Sequence, residues 1–549
     1  MTTTGAWDMK PMVLEDSLYD RYRMSAEAYH ANAFLAVPSR LAEAWNVPRE
    51  VSFGDALRHI DALKAAYSDR GVTEGDRVAL AFESQPEFVY HYLALNGLGA
   101  CVVPLNTDLS VAELSYQLGH AGCGAVIGLP ALGRLLADAI MATGRPLPLS
   151  TDGPAALGPL WQPAGTRAAS PARPVDRPAA ILYTSGTTGR PKGCVLTNVY
   201  LQEAAGYNLR LPPHLAFEAG VERQMNPLPL YHMNAINSLG AAIMTGTCCV
   251  MPGRFSATQW WNDIADTRTT RFKYLGIMVP ALLGQSAHER DRLSGVKMAF
   301  GAGVDPVLHE RFEQRFNIPL IEVWGMTESG RFMCVDREPR MIHTRACGRP
   351  LPGLEACIVD DAGEPVADGT VGELVVRHNA EQPRYGFFNG YLDDPEATET
   401  AWAGGWFHSG DLCTRAADGL YTFVDRKKNI VRRSGENISS AEVEAVLASS
   451  PLVRQVAVTA VPDPMRDEEV LACVVASGDA TRDRATALAL HRHAAEQLAY
   501  YKPPGWVYFV DELPITGTQK VQKHRLFPDG FRHDLPGLHD VRDQKRWKQ

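Results

Sequence analysis

Apolar residues between Val51 and Leu129 fall into two alternating patterns. Runs such as RVALAF (77–82) and ACVVPL (100–105) are apolar at nearly every position, as strands covered on both faces are. Between them, AELSYQLGHAG (112–122) spaces its apolar residues as a one-faced helix does. This alternation predicts parallel α/β units and a doubly wound sheet in the first half of the chain. The apolar stretch from Ala235 to Met251 is interrupted by Asn237, Ser238, Thr245 and Thr247, which predicts a buried helix and strand and not a membrane span. Residues 142–180 are crowded with Pro, Gly, Ala and Ser and predict a long surface connection inside one domain.

From Gly348 to Val424 the pattern changes to short strands with tight reversals, as in ACIVDDAGEPV and ADGLYTFV, which predicts a β-rich subdomain. After DRKKNIVRRSG a third pattern begins, with helices in SSAEVEAVLASS and ATALALHRHAAEQL and strands in VRQVAVTAV, EVLACVVAS and WVYFVDEL. Ser439 and Glu442 have capping-box spacing for the first of these helices. The fold class is therefore a large α/β amino-terminal domain (1–427) with a β-rich subdomain, followed by a small α+β domain (428–549). The charged end, RHDLPGLHDVRDQKRWKQ, reads as a frayed tail.

Composition narrows the partners. With 54 basic and 63 acidic residues in 549 the net charge is -9, which argues against nucleic acid or an anionic membrane as the main partner. No basic segment leads into a long apolar run at the start, so no leader or anchor is expected. Ten scattered cysteines without a CxxC pair suit reduced thiols in a cytoplasm, with Cys248 and Cys249 filling core.

The chemistry concentrates in YTSGTTGRPKGCVLT (183–197). A strand runs into Thr184, Ser185, Gly186, Thr187, Thr188 and Gly189, where hydroxyls and unhindered backbone amides suit phosphate oxygens. Lys192 adds a point charge for the outer phosphates, and Pro191 stiffens the loop. The spacing fails the Walker pattern, because Pro191 and Gly193 stand where that motif needs a glycine and a hydroxyl residue. A second glycine segment, GAGVDP (301–306), follows a strand and precedes a helix with Glu322 about twenty residues on, which superficially matches a dinucleotide fingerprint. An NAD-dependent Rossmann dehydrogenase is thus an alternative, weakened by Pro306 at the third glycine position.

The segment SGTTGRPKG resembles the signature of the adenylate-forming superfamily of acyl-CoA synthetases, adenylation domains and luciferases, whose further motifs recur in order over about residues 50 to 527. The resemblance, with wording similar to the carnitine or crotonobetaine ligase branch, implies a site served by a small mobile carboxy-terminal domain. In VWGMTES, Glu328 would hold Mg²⁺, with Thr184 as a second metal ligand. Thr327 would donate to the α-phosphate, and Trp324 with Gly325 would flank the nucleotide or acyl group. Gly301, Ala302 and Gly303 would lie along adenine and the acyl group. Asp411 in WFHSGD and Arg426 in VDRKKN would grip the ribose, Lys428 would be the hinge, and Gly435 would let a pantetheine arm pass. Lys520, in LPITGTQKVQK, would be the catalytic lysine, although Gln519 replaces the usual glycine before it; Lys523 and His524 beside it read as solvated.

His232 in PLPLYHMNAIN matches the family's aromatic or His gate, and Met233, Asn237 and Trp324 are candidate lining residues. The aspartate that grips an α-ammonium group is missing, so an acid without one is implied. Arg331 reads as solvated, with a second substrate carboxylate as the minority role. The expected reaction is ATP-dependent formation of acyl-AMP and transfer to CoA, with a small-molecule carboxylic acid, ATP, Mg²⁺ and CoA as partners and a homodimer left open. An acyl-AMP ligase loading a carrier protein, a luciferase-like oxygenase and an inactive nucleotide-binding protein share most of these motifs.

Overall fold

The computed structural model describes residues 16–159, 173–184, 191–287, 289–292, 295–434, 436–478, 480–515, 521–528 and 530–545. Two compact units result, one formed by 1–340, 348–355 and 377–405, the other by 341–347, 356–376 and 406–549. The β-rich text that the sequence groups together is thus shared between the units.

The first unit contains two sheets. One has six strands in the order Leu149–Ser150, Ala125–Gly128, Arg77–Ala81, Cys101–Pro104, Pro178–Thr184 and Lys192–Thr197. Every neighbouring pair is parallel except the last, which is an antiparallel hairpin. The buried strand Cys101–Pro104 carries no exposed position, as its apolar text demands. The helix Val111–His120 begins at Ser110, whose hydroxyl accepts from the Glu113 amide while the Glu113 carboxylate accepts from Ser110. Leu114 and Leu118 of this helix enter a core with Val103, Val126 and Ile181.

The other sheet places Met298–Ala302 between Arg271–Leu275 and Leu320–Gly325, all parallel. Its neighbours include Cys248–Val250, which follows the buried helix Met233–Thr245, as the interrupted apolar stretch predicts. Cys248 and Cys249 lie in core, and burial pushes both thiols up to about 12. Because parallel strands end on one edge, their loops gather there, which is where open α/β sheets bind ligands.

The second unit holds the antiparallel pair Phe407–Arg415 and Tyr421–Arg426 and a further sheet centred on Asp467–Ala476. Helices Ser440–Ala448 and Arg484–Ala495 follow the predicted text. Ser439 caps the first of them by accepting from the Glu442 amide at 3.2 Å.

The charged end corrects the expectation of a frayed tail. Leu538–Asp540 pairs antiparallel with Trp506–Phe509, Arg542 reaches Asp463 at 2.7 Å, and Lys545 is buried against Glu469. Partners far away in sequence hold these charges, so local composition alone misreads them.

Candidate active site

The hairpin between Pro178–Thr184 and Lys192–Thr197 sets Lys192 directly across from Thr184. Ser185, Gly186, Thr187 and Thr188 lie outside the described residues. Lys192 Nζ stands 3.6 Å from the Asp394 carboxylate and 4.8 Å over the ring of Tyr391. The hydroxyl of that tyrosine donates to Glu328 Oε1 at 3.1 Å, so one aromatic side chain joins the candidate phosphate cation to the candidate metal carboxylate. Glu328 is buried, and its carbonyl accepts from the Phe388 amide at 2.9 Å.

Within the hairpin, Cys194 is buried, its sulfur 3.9 Å from the Thr184 hydroxyl. Burial, followed by the charge of Glu328, holds its thiol well above the ordinary range, so it stays protonated. The Tyr200 hydroxyl donates to the Thr327 carbonyl and fixes the next segment. Gly330, at φ 62°, is required where the chain passes this ring, because a Cβ there would meet Tyr200 at 2.7 Å.

On the other sheet, Gly301 pairs with Tyr274 on one side and Glu322 on the other. A Cβ on Gly301 would lie 2.3 Å from the Tyr274 carbonyl, so only glycine fits. Ala302, the last residue of its strand, and Gly303 just beyond it are exposed, Trp324 is buried, and Gly325 is exposed next to it. Glu322 closes this corner. It accepts from the Gly303 amide at 2.9 Å and from the Tyr274 hydroxyl, with Val304 N at 3.5 Å. Burial raises its carboxyl to about 7 against these donors.

His232 precedes helix Met233–Thr245 and is half-buried, its ring 4.7 Å from that of Tyr231. Met233 is buried. Asn237 instead uses its amide between helices, donating to Ala204 O at 2.7 Å and accepting from Asn208 at 3.0 Å. Arg331 is likewise not solvated. It is fully buried, 3.6 Å from Glu203 and 5.0 Å over Phe387, held by side chains that the sequence separates widely.

In the second unit, Asp411 and Arg426 are cross-strand partners joined by an ion pair of 2.6 Å. Asp411 is buried, whereas Arg426 keeps 39% of its side chain exposed, open on that side to a further acceptor. Lys428 sits in the short turn Lys427–Asn429, and Gly435 and Lys520 lie outside the described residues. Lys523 corrects the expectation of a solvated side chain, since it donates to Ser440 Oγ at 2.7 Å and pairs with Glu444 at 2.8 Å.

The pattern described as AMP-binding enzyme matches residues 30–392, and that of the AMP-binding enzyme C-terminal domain matches 442–520. The chain belongs to the AMP-binding enzyme family. A sulfoacetate–CoA ligase from Cupriavidus necator is 32% identical over 87% of this chain and 92% of its own length. A crotonobetaine/carnitine–CoA ligase from Salmonella enteritidis is 27% identical over 87% and 93%. In fold, the chain is similar to o-succinylbenzoate CoA synthetase from Bacillus subtilis, solved with its acyl-adenylate intermediate, with TM-score 0.77, 23% identity and coverage of 94% and 99%. None of these supports the dehydrogenase alternative, and within an AMP-binding enzyme GAGVDP needs no dinucleotide role.

Two residues of this AMP-binding enzyme escaped sequence reasoning. Glu322 was visible only as part of the dinucleotide alternative, although its place one strand from Gly301 needs no nicotinamide. Tyr391 had no local signal, because sixty-three residues separate it from Glu328.

Proposed function

We propose that the chain is an ATP-dependent acid–thiol ligase which forms acyl-AMP and then acyl-CoA. The observation that carries the reading is the convergence of Thr184, Lys192 and, through Tyr391, Glu328 beside the loop whose text matches a nucleotide-binding family. In the first half-reaction a carboxylate oxygen attacks the α-phosphorus of ATP, and the bond to pyrophosphate breaks. Lys192 offsets phosphate charge, and Lys520 offsets repulsion between the carboxylate and the α-phosphate. In the second, the sulfur of CoA bonds to the acyl carbon, the thiol proton leaves to solvent, and AMP departs. Asp411 and Arg426 are assigned to the ribose, Gly301 to Gly303 and Trp324 to the wall beside the nucleotide and acyl group, and the turn at Lys428 to the hinge.

The donor set fits Mg²⁺. Glu328 and Thr184 both border Cys194 and offer hard oxygens, while no cluster of three His, Cys, Asp or Glu that could hold a metal occurs among the described residues. Magnesium suits such a site because it takes few protein carboxylates and draws its other ligands from phosphates and water. When bound, it would neutralise charge on the triphosphate.

The acid we assign is small and lacks an α-ammonium group, a reading supported by the missing aspartate in PLPLYHMNAIN and by the similarity to ligases named for sulfoacetate and crotonobetaine. The cytoplasm is the assigned compartment, on ten cysteines that are all unpaired. A panel of short carboxylic acids, assayed for pyrophosphate release with and without CoA, tests the function. Acid-dependent release with CoA-dependent AMP formation is expected; AMP release that ignores CoA would reassign the acceptor, and no exchange with any acid would remove the ligase.

A further inference from the structure

Away from the phosphate hairpin, the six-stranded sheet contains a second opening. From Arg77–Ala81 the chain crosses to Cys101–Pro104 on one side, then returns to Ala125–Gly128 on the other and continues outward to Leu149–Ser150. The connections therefore diverge between Arg77–Ala81 and Ala125–Gly128, which are parallel neighbours. Such a switch point leaves a crevice beyond the carboxyl ends of the two strands. A cavity of about 480 Å³ lies there, bordered by Phe82 at the end of one strand and Gly128 at the end of the other. Its size is that of a small-molecule site, roughly 300–1,000 Å³.

One chain of polar groups enters this cavity. The Tyr67 hydroxyl meets His91 Nδ1 at 2.6 Å, and both residues are buried. Burial keeps Tyr67 protonated far beyond neutral pH, so this hydroxyl stays neutral where it meets the imidazole. The other ring nitrogen of His91, Nε2, faces Glu87 Oε1 at 3.4 Å. His91 in turn holds the Glu87 carboxyl below its usual range, so Glu87 is ionised at neutral pH. Glu87 keeps 45% of its side chain exposed and borders the cavity. The mechanism above uses none of these three groups.

The charge selects the ligand. Glu87 occupies the first turn of helix Pro86–Gly97, where it answers the positive end of the helix dipole and repels a competing anion. Asp152 adds a second acidic side chain, and no lysine or arginine lines the cavity among the described residues. The remaining wall is largely apolar, with Leu63, Ala66 and Phe82, whose ring lies 5.1 Å from that of His91. Nucleotides, phosphate and carboxylic acids are disfavoured here.

We propose that this cavity is a second ligand site, which takes a small apolar amine whose ammonium group pairs with Glu87 while its hydrocarbon part lies against Leu63, Ala66 and Phe82. The site stands independently of the ligase reading, since its walls come from the carboxyl end of the first sheet and from helices Phe53–Asp69 and Pro86–Gly97, none of which carries a residue assigned to that reaction.

The test is calorimetric titration of the full-length protein at pH 7 with 2-phenylethylamine and, separately, 2-phenylethanol. The amine is expected to bind at least tenfold more tightly than the alcohol. Glu87→Gln should weaken the amine at least tenfold and leave the alcohol unchanged, and Ala66→Trp should remove both by filling the space. Unchanged unfolding temperature and pyrophosphate release without amine would show that both variants are folded. Equal affinity for amine and alcohol, no binding of the amine, or amine binding indifferent to both substitutions would overturn the proposal.

Discussion

Glu322 shows how one side chain can carry a pH response. Its carboxyl, raised to about 7 by burial, is protonated in the folded chain over a range where an unfolded carboxyl near its ordinary value has already ionised. The folded state then binds the extra proton, so this residue's contribution to stability is complete below the unfolded value and is lost as pH rises through about 7. Gln keeps the size and does not titrate. Glu322→Gln should therefore gain on the native protein by about 2 kcal/mol between pH 5.5 and 8, read from urea midpoints at each pH. The reason is that each pH step of one over which the folded state holds the additional proton is worth about 1.4 kcal/mol. Parallel pH curves for the two proteins would refute the assignment. The same residue marks the limit of sequence reading at this scale. GAGVDP announces a glycine requirement, but not that the requirement comes from Tyr274 on the next strand. The hydroxyl-rich loop announces phosphate, whereas the burial of Arg331 beside Glu203 depends on a pairing across more than a hundred residues.

At the scale of elements, strands and helices with strong periodicity were legible, including the helices Val111–His120 and Ser440–Ala448. The carboxy-terminal strap was not, because its apolar content is small and its charges look solvated until their partners are known. Glu469 stands between Arg433, at 2.8 Å, and Lys545, all three buried. Burial lowers the Lys545 ammonium to about 8 even beside this carboxylate, which measures how fully the strap is desolvated. Glu469→Gln leaves the buried Arg433 guanidinium without this counter-charge and lowers the Lys545 ammonium further, and an uncompensated buried charge costs about 3–5 kcal/mol. Arg415→Ala, which breaks the exposed pair with Asp368, should cost less than about 1 kcal/mol. Urea denaturation of both variants checks the contrast. Comparable midpoints would mean that the strap contributes no more than a surface pair.

At the scale of the whole molecule, the ligase reading divides two half-reactions between two lysines. The order of motifs along the chain was legible because each is contiguous, whereas in the proposed reading one site serves two reactions through a movement that no contiguous motif encodes. Lys520 is assigned to the first half-reaction, where a cation lowers the cost of bringing two anions together. The acyl-AMP that follows is attacked at carbon by sulfur, and that step does not need the same cation. Lys520→Ala should therefore reduce acyl-AMP formation from acid and ATP by about 100-fold or more, the scale of one lost electrostatic contact in a transition state, while thioester formation from supplied acyl-AMP falls only a few-fold. Lys428→Pro should act in the opposite sense, because proline fixes φ in the turn assigned to the hinge and hinders movement more than chemistry. Measuring both half-reactions in both variants makes the comparison internal. Equal losses in the two steps for Lys520→Ala would remove its specific role, and an undiminished second step in Lys428→Pro would remove the hinge.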